Sequence, residues 1–216
     1  MLNMYFVNRS SMNILCLGAH CDDIEIGCGG AILKYSQIIK NINVYWVVFS
    51  SDNNRRTEAI HSAEDFLKNV NNKNIVVNQF RNSYFPDCWG EIKEYFEDKI
   101  KSSFTPDLIF THCRGDLHQD HRVINELTWN SFRNHLILEY EIAKYDADLG
   151  SPNTFVGLDE SICKKKIEYI LNNFKSQSDK PWFTEDLFMS IMRLRGVESN
   201  SPGRYAEAFY CRKIII

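Results

Sequence analysis

Residues 14–30 read ILCLGAHCDDIEIGCGG, and the reading of this stretch decides the fold expected for the whole chain. Ile14 to Leu17 form a short apolar run closed by Gly18, the pattern of a buried strand in a parallel sheet. His20, Asp22 and Asp23 follow at once. Ligand and catalytic groups of open α/β sheets collect at the carboxyl ends of strands, so these three residues are candidates for a site. Gly27, Gly29 and Gly30 are expected to let the backbone turn tightly and start a helix over Ala31 to Ile39. The expected order is strand, site, helix.

Working outward, the same order recurs in residues 106–121, PDLIFTHCRGDLHQDH. Leu108 to Phe110 are apolar, Asp116, His118, Asp120 and His121 crowd the loop, and a helix is expected from about Arg122 to residue 133. Two strand ends thus offer imidazole and carboxylate, which suits a metal site, where three or four ligands must converge from rigid supports. Between the two stretches, strands are predicted at Val44 to Phe49 and Ile75 to Val77. Helices are predicted at Arg55 to Leu67, with Asp52 or Asn54 as cap, and at Glu91 to Ser102. Right-handed crossovers then stack the strands in parallel and gather the loops 18–27, 50–55, 80–90 and 111–121 around one crevice. Further on, the pattern predicts a strand over Leu136 to Ala143, a loop at 146–153, and helices over Glu160 to Phe174 and Glu185 to Arg195. A closing strand is expected over Ala208 to Ile216, with Arg212 and Lys213 facing solvent. No repeat or composition break marks a second domain. The reading is one α/β domain over 1–216, a Rossmann-like, mostly parallel sheet flanked by helices.

HCDD at 20–23 with HQDH at 118–121 resembles the paired motifs of the PIG-L/LmbE family of zinc-dependent N-deacetylases, which remove an acetyl group from N-acetylated amino sugars and related glycosides. The motifs span about Ile14 to His121, and the tail, an extension of the same domain over 136–216, looks like the branch associated with bacterial surface-glycan assembly. The resemblance implies a metal-dependent hydrolase with Zn2+, or Fe2+ as the alternative metal. It implies His20, Asp23 and His121 as ligands, with one position left open for water. Asp22 is then the general base toward that water, whose pKa zinc lowers to about 7. A protonated His118 would stabilise the tetrahedral oxyanion and protonate the departing amine, with Asp120 holding its ring and raising its pKa, or serving as a helix N-cap. Asp116 is a candidate buttress behind a ligand. Arg55 is a candidate grip for a phosphate or sugar hydroxyl, against the alternative of a surface helix charge. Cys21 and Gln119 stand where the family most often has Pro; neither change removes a ligand. His61, His112 and His135 lack a matched carboxylate and read as structural, His112 being close to the site loop.

Two His and one carboxylate also describe a non-haem iron(II) oxygenase, but a separate base and acid have no task in oxygen activation. A catalytically inactive carbohydrate-binding homologue would not need Asp22 or His118. GCGGA lacks the G-x-G-x-x-G spacing of a dinucleotide loop. A net charge of −3 provides no footprint for nucleic acid. No apolar run approaches the length that spans a bilayer, and MLNMYFVNRSSM at the start lacks the basic and apolar regions of a signal peptide. Seven Cys without a CxxC pair argue against a disulfide framework or thiolate zinc site, so a reducing cytoplasm is expected. Lys164 to Lys166, flanked by Glu160 and Glu168, read as a solvated helix face. The expected partner is a small N-acetylated amino sugar, free, nucleotide-linked or lipid-linked, and the sequence is compatible with a homo-oligomer.

Overall fold

In the computed structural model, which describes residues 10–215, the first strand β1 (Ser11–Gly18) lies inside a seven-stranded sheet. Ile14 to Leu17 are fully buried there, as a strand covered on both faces requires. β2 (Asn41–Val48) and β3 (Asn72–Val77) extend the sheet on one side, and β4 (Leu108–His112) and β5 (Leu136–Tyr140) on the other, all in parallel. β6 (Thr154–Leu158) and β7 (Tyr205–Tyr210) finish one edge antiparallel, so the order is β3-β2-β1-β4-β5-β7-β6. The helices are α1 (Asp23–Ile38), α2 (Asn53–Phe66), α3 (Trp89–Tyr95), α4 (Gln119–Ser131), α5 (Glu160–Asn173) and α6 (Glu185–Glu198). The helix expected over 91–102 changes to a π-helical turn at Phe96–Lys101.

Side chains of β1 alternate between two cores because successive residues of a strand point to opposite faces. Ile14 and Cys16 pack with Ile24, Trp46, Phe66 and Ile167, while Leu15 and Leu17 pack with Tyr45, Val47, Phe96 and Leu127. β1 and β4 are neighbours in register, Ile14 opposite Leu108 and Cys16 opposite Phe110. The chain leaves these two strands in opposite directions across the sheet, and the crevice that opens at such a switch is where α/β sheets bind ligands.

The glycine-rich stretch corrects the sequence reading. The turn is made by Asp22, whose φ is 91°, and α1 begins immediately at Asp23, with Gly27, Gly29 and Gly30 inside the helix. They serve packing. A Cβ on Gly27 would stand 2.2 Å from the Tyr140 ring, and one on Gly30 would stand 2.8 Å from a Glu207 carboxylate oxygen. The edge strand β6 was not expected, because the strand it pairs with, β7, lies some fifty residues further along the chain. The closing strand ends at Tyr210 rather than running on; Ile216, and most of the stretch on which the signal-peptide reading rests, lie outside the described residues. Arg212 and Lys213 are exposed, as expected, and Arg212 makes specific contacts as well. Its guanidinium binds Glu139 and the Asn125 amide oxygen and lies 4.5 Å from the Trp129 ring centre. Among the described residues no helix is long and apolar enough to cross a membrane.

Lys166 is a second correction, since only Lys164 of its run pairs at the surface, with Glu160. The Lys166 ammonium is buried, donating to Ile26 O at 2.6 Å and to Glu207 Oε1 at 2.7 Å. Glu207 in turn accepts from the Gly30 and Ala31 N–H groups at 2.7 and 2.6 Å. The pair therefore ties α5 and β7 to the helix whose first turn carries Asp23. Removing one member of a buried pair strands the other charge, so Lys166→Met is expected to cost about 3 to 5 kcal/mol and lower Tm by about 10 °C. Urea and thermal unfolding measure this. A melt unchanged within 2 or 3 °C, on the order of 1 kcal/mol, would show that Glu207 is satisfied without Lys166.

Candidate metal centre and its cleft

The end of β1 delivers His20 to the crevice, and the left-handed turn at Asp22 swings Asp23 back so that its Oδ2 accepts the His20 N–H at 2.6 Å. The end of β4 delivers His112. After the loop that follows, His118 caps α4, its Nδ1 accepting the Asp120 N–H at 3.2 Å, so that Asp120 and His121 occupy the first helical turn. Around one point, His20 Nδ1 lies 3.2 Å from His121 Nε2 and 3.5 Å from Asp23 Oδ2, and the last two atoms are 3.6 Å apart. A tetrahedral ion with bonds of about 2.0 to 2.1 Å spaces its ligand atoms by about 3.3 to 3.4 Å, so this triangle fits a zinc-sized metal. His112 Nε2 is 3.2 Å from Asp23 Oδ2, and the His112 ring stacks on His121 with centroids 3.8 Å apart. His121 is common to two groups whose ligand atoms crowd together, His20 with His118 and Asp23 with His112.

The surroundings set ring orientation and charge. Asp116 accepts from His121 Nδ1 at 2.8 Å, leaving Nε2 to face Asp23, and its other oxygen takes the His118 N–H at 2.8 Å and lies 3.1 Å from Lys144 Nζ. Asp116 thus lies directly behind the His121 ring. Burial, followed by the neighbouring His112, pulls the His121 pKa down to about 4, which keeps its ring neutral as a metal ligand must be. Burial works to raise the Asp23 carboxyl, yet His121 and His112 hold it well below the usual range. Burial likewise opposes charge on His20, but Asp120 and Asp23 overcome it and raise its pKa to about 9, so a metal entering here displaces a proton.

Three expectations change. Asp120 does not hold the His118 ring; its carboxylate lies 3.0 Å from His20 Nε2 and accepts the Ser83 and Phe85 N–H groups at 2.7 and 3.1 Å. His118, with Nδ1 accepting from a backbone N–H, carries its hydrogen on Nε2, and burial together with His20 lowers its pKa. Asp120, Asp23 and Asp116 support the imidazolium, but burial and the His20 charge outweigh them. Arg55 is not a surface charge but a half-buried residue of the cleft. It donates to Asp22 Oδ2 at 2.8 Å and to Cys21 O at 2.6 Å, held at the start of α2 by the Asp52 cap on its own N–H. Asp22 is buried, and burial outweighs Arg55 to bring its pKa up to about 7. The two residues at the family's proline positions donate elsewhere: the Cys21 thiol to Ser50 O at 3.5 Å, and Gln119 Nε2 to Ser83 O at 3.2 Å.

His20, Asp22, Asp23, Arg55, His118 and His121 line a cleft of about 240 Å³ together with Asn82, Ser83, Ile142, Ala143, Lys144, Gln177 and Trp182. All four predicted loops reach it. His112, read from the sequence as structural though close to the site loop, joins the cluster; its position as the last residue of β4 was the available signal. Gln177 and Trp182 carried no signal. His61 is exposed on α2, and His135 packs edge-on against Phe132.

The family model described as PIG-L, GlcNAc-PI de-N-acetylase, matches residues 15–132, more than half of the chain. The chain belongs to the PIG-L family. The deacetylase YaiS of Escherichia coli (strain K12), itself uncharacterized, is 30% identical over 138 residues, 59% of this chain and 72% of that protein. Among solved structures, the N,N'-diacetylchitobiose deacetylase from Pyrococcus horikoshii has a TM-score of 0.67 at 21% identity, over 93% of this chain and 83% of that one. GalB, the 4-carboxy-2-hydroxymuconate hydratase of Pseudomonas putida KT2440, has a TM-score of 0.71 at 15% identity, over 95% and 98%. Likeness at these identities speaks for the fold. A hydratase with a similar fold also means that the fold does not select the reaction; the site residues must.

Proposed function

We propose that this PIG-L protein is a metal-dependent hydrolase that removes the acetyl group from an N-acetylated amino sugar, with Zn2+ as the metal and Fe2+ as its alternative. The observation that carries the reading is the triangle of His20, Asp23 and His121, no edge longer than 3.6 Å, beside a separate carboxylate, Asp22, held by Arg55. His20, Asp23 and His121 would hold the metal. When bound, a divalent ion polarises the amide carbonyl and brings the pKa of the attacking water to about 7. That help is needed because C–N resonance makes an amide a poor electrophile.

Asp22, brought up to about 7 by burial, is matched to take a proton from water near neutral pH, and Arg55 fixes its orientation. His118 acts as a neutral Nε2–H donor toward the oxygen on which charge develops, in place of the imidazolium expected from sequence. With His118 neutral, the proton for the departing amine comes back from Asp22, so one carboxyl serves first as base and then as acid. Asp120 acts through His20, whose ring it orients. An oxygenase has no task for an arginine-held base, which supports hydrolysis over that alternative. We place the enzyme in the cytoplasm on its cysteine pattern, with residues 1–216 working as one unit, and its product in bacterial surface-glycan assembly.

The test is acetate release, followed by mass spectrometry, from free, nucleotide-linked and lipid-linked N-acetylhexosamines. The protein is stripped with chelator and reloaded with Zn2+ or Fe2+. Release is expected only after reloading. No release from any substrate with either metal would sink the hydrolase reading.

A further inference from the structure

We infer that the segment from Gln177 to Trp182 recognises the sugar, Trp182 supplying the face on which a neutral pyranose ring stacks and Gln177 an acceptor for one of its hydroxyls. The inference deepens the hydrolase reading and rests on it for the identity of the reacting group. Both residues line the cleft that contains Asp22, Asp23 and His118, and both lie beyond residues 15–132, the part of the chain shared with the family model. The reaction is therefore assigned to the shared part and the substrate to this chain's own tail.

Trp182 is built as a fixed platform. It is half-buried, packs edge-on against Phe183 with centroids 5.6 Å apart, and Phe183 packs the same way on Phe188 at 5.7 Å. Two χ angles locked by packing cost little entropy on binding. Among the described residues, the Trp182 indole N–H and Gln177 Oε1 have no partner; the Gln177 Nε2 is used on Ser176 Oγ at 3.0 Å. Across the cleft the Asn82 Nδ2 is likewise unused, and Ile142 and Ala143 add apolar surface. A pyranose presents C–H groups on its face and hydroxyls at its edge, which matches an aromatic face flanked by amide groups. The volume of about 240 Å³ lies near the lower end of small-molecule pockets, roughly 300 to 1,000 Å³, which suits a single sugar ring. Arg55 and Lys144, which line the cleft, each already carry a carboxylate partner, Arg55 the Asp22 group at 2.8 Å and Lys144 the Asp116 group at 3.1 Å and Asp148. Their charge is balanced within the protein, which favours a neutral ring over a carrier diphosphate.

The experiment measures binding and turnover of N-acetylglucosamine by the full-length, zinc-loaded protein, with binding read by saturation-transfer NMR so that it does not depend on hydrolysis. Trp182→Ala is expected to raise Kd and KM about 10- to 30-fold with a smaller change in kcat, and Trp182→Phe to stay within about threefold of the parent, since it keeps a stacking face. Circular dichroism confirms that the variants fold. A nucleoside-diphosphate-linked form is expected to bind no more tightly than the free sugar. If the sugar binds through Trp182 but loses no acetyl, the hydrolase reading falls and the platform stands. If it is deacetylated with KM unchanged in Trp182→Ala, or if Trp182→Phe is as impaired as Trp182→Ala, the platform falls and hydrolysis stands. Absence of binding by any N-acetylated hexosamine also overturns the platform.

Discussion

His121→Ala is expected to fold and to lose both its metal and its deacetylation. His121 is the residue shared by both groups of close ligand atoms, and its Nε2 stands 3.2 Å from His20 and 3.6 Å from Asp23. Disturbing a residue that merely supports a ligand costs about 10- to 100-fold in metal affinity, so deletion of the ligand itself should cost more than about 100-fold. The fold should survive because His121 sits in the first turn of α4 and the polar contacts of its ring, to Asp116, His20 and Asp23, all lie within the site rather than in the apolar core. Plasma mass spectrometry of the dialysed protein gives the metal content, and acetate release gives the activity. Full zinc occupancy at unchanged affinity would remove His121 from the ligand set. The same measurement on His112→Ala and His118→Ala tests the proposed ligands further, since both variants are expected to keep their metal.

Asp22→Asn should keep the metal and lose about 10² to 10⁴ in kcat, the usual worth of a general base. The substitution is mild in shape. Asp22 sits at φ 91°, and Asn, like Asp, enters the left-handed region more readily than other residues with a side chain. Its amide oxygen can still accept from Arg55, so the turn into α1 and the placement of Asp23 should persist. What disappears is the ability to take a proton. Turnover within a factor of about three of the parent, at equal zinc content, would leave Asp22 a purely structural role, and the proton relay would need another carrier.

These two residues also mark where sequence reading was strong. The run Ile14 to Leu17 closed by Gly18, and its echo at Leu108 to Phe110, encode strands through short-range apolar pattern, and the polar residues after each run belong to strand ends that a parallel sheet must bring together. His20, Asp22, Asp23, Asp116, His118, Asp120 and His121 were legible for that reason, as was the Asp52 cap of α2.

Choice of partner was not legible, because it depends on how elements distant in sequence pack. Whether Asp120 would hold His118, two residues away, or His20, one hundred residues away, turned on the His118 ring being used to cap α4. Arg55 met Asp22 only when α2 packed beside the turn into α1. Lys166 looked like one of three surface lysines until Glu207 arrived on β7 to meet it. His112 joined the cluster through its register at the end of β4, and Trp182 reached the cleft through the connection between α5 and α6. The sequence by itself determined the parallel sheet, the crevice and the motif residues facing it, since these follow from local periodicity and βα handedness. The tertiary structure alone decided which carboxylate charges which ring and which aromatic closes the cleft, since those contacts are set by packing and burial between segments that no local pattern links.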